Sequence, residues 1–337
     1  MLLLSTDFTF SLSSKRGVAN LSYLKDNPQF YISSLPFKLN ADTSNVGAQE
    51  QTELDKKKLA IAIPASVISD TPHLREKTAK IGLIGRAAAI FRVQEIHLYP
   101  DNPKANQTRD LEFIALLLNY LETPQYLRKR MFKLEPDLQF AGILPPLRTP
   151  HHPLSGKIRD LKVGEYREGV VLSQAKEGLL VDIGVDRPAL LREKQFSAGD
   201  RLTLQVIKAG EQVEVQTVSR EDVPFYWGFR VFVEKRSFGE LAKDGDFDLT
   251  IATARVGDRF MDVAGEIGKK WSVAGKVLLA FGAPARGLHE IAKDEGLKLQ
   301  DVADFVVNMI PEQGTATVRT EEALLASLAV LDVQFNY

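Results

Sequence analysis

Short, continuous apolar runs broken by glycine-bearing loops close the chain. Residues 277–281 (VLLAF) and 305–310 (FVVNMI) have the pattern of strands buried on both faces of a parallel sheet. Each runs into a loop at the carboxyl end of its strand, where open α/β sheets bind ligands. The first loop is residues 282–287 (GAPARG) and the second residues 311–317 (PEQGTAT). A helix is expected next. Thr320 is placed to cap it, and Glu321 and Glu322 fall in its electropositive first turn. Leu324, Leu328 and Leu331 recur on one face, while Ala323, Ala326 and Ala329 keep the other faces narrow, so the helix is expected to be buried.

Further back, residues 59–63 form a short apolar strand stopped by Pro64. Residues 72–91 carry helical spacing through Ile81, Ile84, Ala88 and Phe91, and residues 95–99 form a second strand. The loop after the first strand (PASVISDTP) lacks the glycine fingerprint of a dinucleotide site or of the common Rossmann-type methyltransferases. Residues 109–121 predict an apolar helix and residues 125–133 a basic one. Pro145, Pro146, Pro150 and Pro153 then break the chain. From residue 164 to 219 the texture changes to REGVVLSQ, GLLVDIG, RLTLQVIK and QVEVQTVS, which predicts a small β-barrel of four to five strands, of the OB type or serving only as a brace. After Pro224 the α/β texture returns: residues 229–232 start a strand or join a helix, 237–243 predict a helix and 247–252 a strand.

Composition narrows the function classes. With no cysteine, a disulfide scaffold, a thiolate-bound zinc and a cysteine nucleophile are excluded. Apolar runs such as residues 113–118 are too short to span a bilayer, so a soluble, cytoplasmic protein is expected. A formal net charge of −1 argues against indiscriminate binding to nucleic acid, so any such contact must be local. Arg128, Lys129, Arg130, Arg148, His151 and His152, with Tyr126, Phe132 and Phe140 between them, form the best basic and aromatic run. The same run could equally be a solvated face. Adjacent histidines point apart and have no third ligand at suitable spacing, so no metal site is expected, and RNA contact or interdomain packing suits His151 and His152 better.

The string FGAPARGL (281–288), a strand, and then PEQGTATVRTEEALLASLAVL resembles the two C-terminal motifs of the SPOUT class of RNA methyltransferases, in the archaeal and eukaryotic putative RNA methylase branch. RAAAIF (86–91), PQYLRKRMF (124–132), LQFAGILPPLRTPHHP (138–153), YREGVV (166–171) and YWGF (226–229) extend the resemblance over roughly residues 59–331. It implies an α/β fold with a trefoil-knotted parallel sheet carrying an inserted OB-like barrel. The corresponding division is a leader (1–58), an N-terminal part of the catalytic domain (59–155), the barrel (156–222) and a C-terminal part bearing the knot (223–337). It also implies S-adenosyl-L-methionine as cofactor, RNA as partner, a homodimer, and methylation of a uridine ring nitrogen in ribosomal RNA. The competing class is a non-catalytic RNA-binding or ribosome-assembly factor that keeps the fold.

The same resemblance puts the cofactor at Phe281, Gly282, Gly287, Leu288, Ile310, Gln313, Gly314, Thr315 and Leu325. Arg86 and Arg319 are the candidate catalytic residues. An arginine is no base at ordinary pH, but it can stabilise a uridine anion or hold a phosphate. For Arg86 the bland alternative is a salt bridge. For Arg319 it is a pairing with Glu322 that shapes the loop.

Overall fold

In the computed structural model, residues 57–335 are described. Of the expected leader (1–58), residues 1–56, with the apolar stretches 8–10 and 30–32, lie outside them, and Lys58 already opens the first strand. Six strands form one sheet: β1 (Lys58–Pro64), β2 (Glu95–Tyr99), β8 (Arg230–Val233), β9 (Leu249–Arg259), β10 (Lys276–Ala280) and β11 (Phe305–Asn308). Their spatial order is β11-β9-β10-β1-β2-β8, and every neighbouring pair is parallel. An all-parallel sheet needs cover on both faces. Along β1, Ile61 and Ile63 join the larger core with α1 (Leu74–Ile90), α2 (Thr108–Glu122), α5 (Phe260–Val273) and α7 (Thr320–Phe335). Ala60 and Ala62 point to the other face, where small side chains let α4 (Phe238–Asp244) and α6 (Leu288–Asp294) pack close through Phe238, Leu241, Leu288 and Ile291.

The strand-rich segment forms a closed barrel of five strands: β3 (Tyr166–Ala175), β4 (Gly178–Asp182), β5 (Ala189–Leu191), β6 (Arg201–Lys208) and β7 (Glu214–Thr217). Inward residues such as Val171, Val181, Leu191, Leu204, Val206 and Val215 fill it. In sequence the barrel lies between β2 and β8 of the sheet.

A buried ionic junction ties the barrel to the sheet. Glu122, at the end of α2, is 3% exposed and meets Arg201 of β6 at 2.7 Å and Arg220 of the return segment at 3.0 Å. Arg201 also pairs with Glu168 of β3 at 2.5 Å, and Glu168 accepts the Trp227 indole N–H at 2.6 Å. Burial acts to raise the Glu122 carboxyl, but Arg201, His151 and Arg220 override it and hold it well below the usual carboxylate range. The ring Nε2 atoms of His151 and His152 both bond the Glu122 carbonyl, at 2.9 and 2.7 Å.

Burial, then the neighbouring His151, pushes the His152 imidazole down to about 4. Between that value and the unfolded ~6.5 only the unfolded chain takes up a proton here, so stability is full above that window and falls as pH drops through it. The loss is roughly 2 kcal/mol, discounted for partial exposure. Thermal melts between pH 7 and 4.5 should show this fall, with a shallower slope for His152→Gln. An unchanged slope would remove His152 as its source.

Candidate functional site

The loop after β10 is fastened at its base. Phe281 donates its N–H to Ala62 at 3.1 Å, and its carbonyl accepts the Tyr99 hydroxyl at 2.6 Å. Phe281 is 1% exposed and Leu288 fully buried, so these two residues support the loop from beneath. The turn closes through Ala283 N–H to the Arg286 carbonyl at 2.8 Å. A Cβ on Gly282 would lie 2.9 Å from Gly287 Cα, 3.0 Å from Leu288 N and 3.1 Å from Arg286 O, all backbone atoms, so only glycine allows this turn. Arg286 then reaches Asp101, bonding its carbonyl at 2.6 Å and its carboxylate at 3.0 Å, and pairs with Asp294 at 2.7 Å. Asp101 accepts from Ser66 N–H at 2.9 Å, so the loops after β1, β2 and β10 are bound together at the carboxyl ends of their strands.

The loop after β11 lies beside it. Asn308 accepts from Ile310 N–H at 3.0 Å, Gln313 donates to the Thr315 carbonyl at 2.9 Å, and Arg255 of β9 holds the Ala316 carbonyl at 3.1 Å. Glu312 has the left-handed φ of 64° that turns the chain. Ile310 packs half-buried against the core, whereas Gly314 is exposed and a Cβ there would meet nothing within 4 Å. The two loops are joined by one hydrogen bond, from the Thr320 hydroxyl to the Gly282 carbonyl at 3.0 Å.

Thr320 is therefore not the cap the sequence predicts. It is the first helical residue, its hydroxyl is directed at the other loop, and the Glu322 carboxylate closes the helix start by accepting Arg319 N–H at 2.9 Å. The Arg319 side chain is exposed, and Leu325 is 48% exposed on α7.

Small residues and backbone groups dominate both loops. Their exposed amides, the open face at Gly314 and the half-buried Ile310 suit a ligand with hydrogen-bonding edges and an apolar ring. A nucleoside-bearing cofactor meets that description.

The remaining candidates sit elsewhere. α1 runs back along the sheet, so Arg86 lies toward the amino ends of the strands, where it donates to the carbonyls of Pro146 (3.2 Å) and Leu147. These carbonyl bonds stand in place of the alternative salt bridge, and one chain does not bring Arg86, the expected catalytic residue, to the two loops. Arg128, on α3 (Gln125–Met131), is half-buried, bonds the Thr123 and Leu121 carbonyls at 2.9 and 3.1 Å, and lies over the Tyr120 ring. Arg130 pairs with Asp182 of the barrel at 2.6 Å, while Lys129 is exposed. His151 is 1% exposed at the ionic junction, which is the interdomain-packing alternative, and His152 beside it makes the same contact. Arg148 is exposed with a left-handed φ of 52°.

Asp101 and Arg255, which frame the loops, escaped the sequence reading. The available signals were the Asp-Asn pair directly after β2 and the alternation of Thr253, Arg255 and Gly257 beyond the expected end of β9.

A family model described as "putative RNA methyltransferase" matches residues 58–331. The chain is 34% identical over 303 residues to the 28S rRNA (uridine-N(3))-methyltransferase of Mus musculus, covering 81% of this chain and 75% of the mouse protein. It is 33% identical over 304 residues to the Homo sapiens protein of the same name, with 81% and 77% covered. An uncharacterized protein of Haloarcula marismortui is 33% identical over 285 residues, covering 81% of this chain and 98% of that one. Among the described residues no helix is long and apolar enough to cross a membrane.

Proposed function

This chain belongs to the family of putative RNA methyltransferases and is a methyltransferase, and we propose from that premise that it transfers a methyl group from S-adenosyl-L-methionine to N3 of a uridine in ribosomal RNA. The observation that carries this reading is the pair of coupled loops at the carboxyl ends of β10 and β11, joined through Thr320 and Gly282. The rRNA and uridine part rests on the names of the mouse and human relatives.

S-adenosyl-L-methionine would supply an electrophilic methyl on a sulfonium, for N3 to bond as the methyl–sulfur bond is given up to sulfur and the N3 proton passes to solvent or a base. What the chain contributes is placement. Gly282, Gly287, Gln313, Gly314 and Thr315 offer backbone and amide groups to the donor's polar edges, and Ile310 and Leu325 offer apolar surface. Arg319, exposed at the entrance to α7, is positioned to steady negative charge on the uridine ring. Arg86 contributes to RNA binding rather than to the reacting base.

The knotted form of the SPOUT class is part of this proposal, with the segment after β11 passing the loop after β10 where Thr320 meets Gly282. So is the OB character of the barrel. The order β3-β4-β5-β7-β6, closed by β6 against β3 and with β5 and β7 parallel, supports the OB reading, in which the barrel braces the sheet and guides RNA. The division of labour follows: residues 59–155 and 223–337 carry the chemistry, and residues 156–222 form the barrel.

A homodimer completes the reading. Lys80 and Glu321 (3.3 Å) at one end, and Arg92 and Asp332 (3.9 Å) at the other, hold α1 and α7 side by side and parallel. On α1 and α7 Leu83 is 57% exposed and Val333 71%, apolar side chains that a partner's helix pair would cover. Gly314→Val tests the donor site without threatening the fold, since its Cβ meets no protein atom within 4 Å. Calorimetric titration with S-adenosyl-L-methionine should show affinity weakened about tenfold or more. Unchanged affinity would move the donor away from this loop.

A further inference from the structure

A cleft of about 1050 Å³ opens at the amino ends of β1 and β2, the end of the sheet opposite the two loops. Its walls are the end of α1, residues 147–150 and the return segment 220–230 that leads from the barrel to β8. Seven of its 25 lining residues are Lys or Arg and three are Asp or Glu, a local excess of positive charge in a chain whose formal net charge is −1. Five are Phe, Tyr or Trp, one in five against 8% in the whole chain. Positive charge that tracks phosphates, interleaved with aromatic rings on which bases stack, is what sequence-tolerant binding of unpaired nucleic acid requires.

The individual groups are available. Arg148 and Lys58 are exposed and make no ion pair among the described residues. Phe225 is 45% exposed, yet its ring is braced by Tyr166 and Trp227, each 5.7 Å away between centroids, so it presents a surface already held in place. In the wall, the Thr149 hydroxyl is buried without a hydrogen-bond partner among the described residues. A second groove shares Arg220, Glu221 and Arg230 with the cleft and continues across β6 and β7 of the barrel. The two make one track from the edge of the sheet onto the barrel. A double helix offers its bases stacked and paired, so the exposed Phe225 ring favours a single strand.

We propose that this cleft binds an unpaired stretch of the RNA substrate, away from the methylated nucleotide, by stacking a base on Phe225 and holding phosphates with Arg148 and Lys58. The proposal rests on the reading that the substrate is RNA. It gives the barrel's return segment a role in substrate capture that is separate from donor binding.

The test measures binding of a fluorescent single-stranded oligouridine and of an RNA duplex to the full chain across a salt series, alongside donor affinity and methyl transfer to ribosomal RNA. Arg148→Gln and Phe225→Leu, which keeps the bulk packed on Tyr166 and Trp227, are the variants. The wild type should prefer the single strand, and the double variant should bind it about tenfold or more weakly. Arg148→Gln alone should reduce the salt slope by about one phosphate contact. Donor affinity and duplex binding should stay unchanged in both. Wild-type single-strand affinity and salt slope in the variants would overturn the cleft proposal and leave the methyltransferase reading intact. Conversely, the expected binding losses in a protein that methylates no RNA would keep the cleft and remove the proposed substrate.

Discussion

Valine at position 282 is expected to lower affinity for S-adenosyl-L-methionine by about a hundredfold or more, the largest functional effect of any single change in the proposed donor site. A Cβ there lies between 2.9 and 3.1 Å from three backbone atoms of residues 286–288, and none of them can swing aside as a flexible side-chain tip would. Relief requires opening the turn closed by Ala283 and Arg286. It also displaces the Gly282 carbonyl from Thr320 and so separates the two loops. Damage should stay local, because the strand beneath is held independently by Ala62 and Tyr99. Titration calorimetry with a thermal melt as control would measure this, and a well-folded variant binding the donor within a few-fold of wild type would contradict the proposed pocket.

The largest stability effect is expected at Glu122. Replacing it with alanine strands Arg220 and takes from Arg201 one of its two buried counter-charges, Glu168 keeping the other; the two arginine side chains are 19% and 20% exposed. Breaking a buried pair by removing one partner costs about 3–5 kcal/mol, and residual solvent access to the two arginines puts this case at about 3 kcal/mol. In a protein of this size that corresponds to a fall in Tm of roughly 4–5 °C. Adding Arg220→Ala to Glu122→Ala should cost less than the two separate losses combined, because the second change removes a charge the first has stranded. A loss under about 1 kcal/mol, or full additivity, would mean the barrel is held mainly by apolar packing.

How much of this was legible in the sequence depended on the range of the interaction involved. β2 was read to the residue, because a run of five apolar or tolerant positions ends at Pro100. Both closing strands were found from local pattern, although β11 ends at Asn308, two residues before the apolar run does. α5 was missed. Phe260, Ile267 and Trp271 carry its buried face, but Gly265 and Gly268 interrupt the pattern that would have marked it. β9 runs to Arg259 instead of stopping at residue 252, and its register against β11 shifts between Val306 and Val307. No alternation rule carries across that bulge.

The site divided in the same way. Glycine loops are local signals, so Gly282 and Gly314 could be named from sequence, but their different physical situations, one pressed on backbone and one open, come from the fold. Basic residues are the opposite case, because their role depends on distant partners. Arg128 reads as free charge until it is found bonded to the carbonyls that end α2. His151 reads as either an RNA contact or an interdomain residue until it is found buried beside Glu122. The cleft at the amino ends of the strands could not be read at all, because Lys58, Arg148 and Phe225 converge only after the barrel returns the chain to the sheet.

The central claim is methyl transfer to uridine in RNA. It is tested most directly by incubating the full chain with methyl-labelled S-adenosyl-L-methionine and unmodified large-subunit ribosomal RNA, then digesting the RNA to nucleosides and separating them by mass. The account predicts label in 3-methyluridine, lost with Gly282→Val. Label in no nucleoside, from a protein shown in the same preparation to bind both donor and RNA, would contradict it.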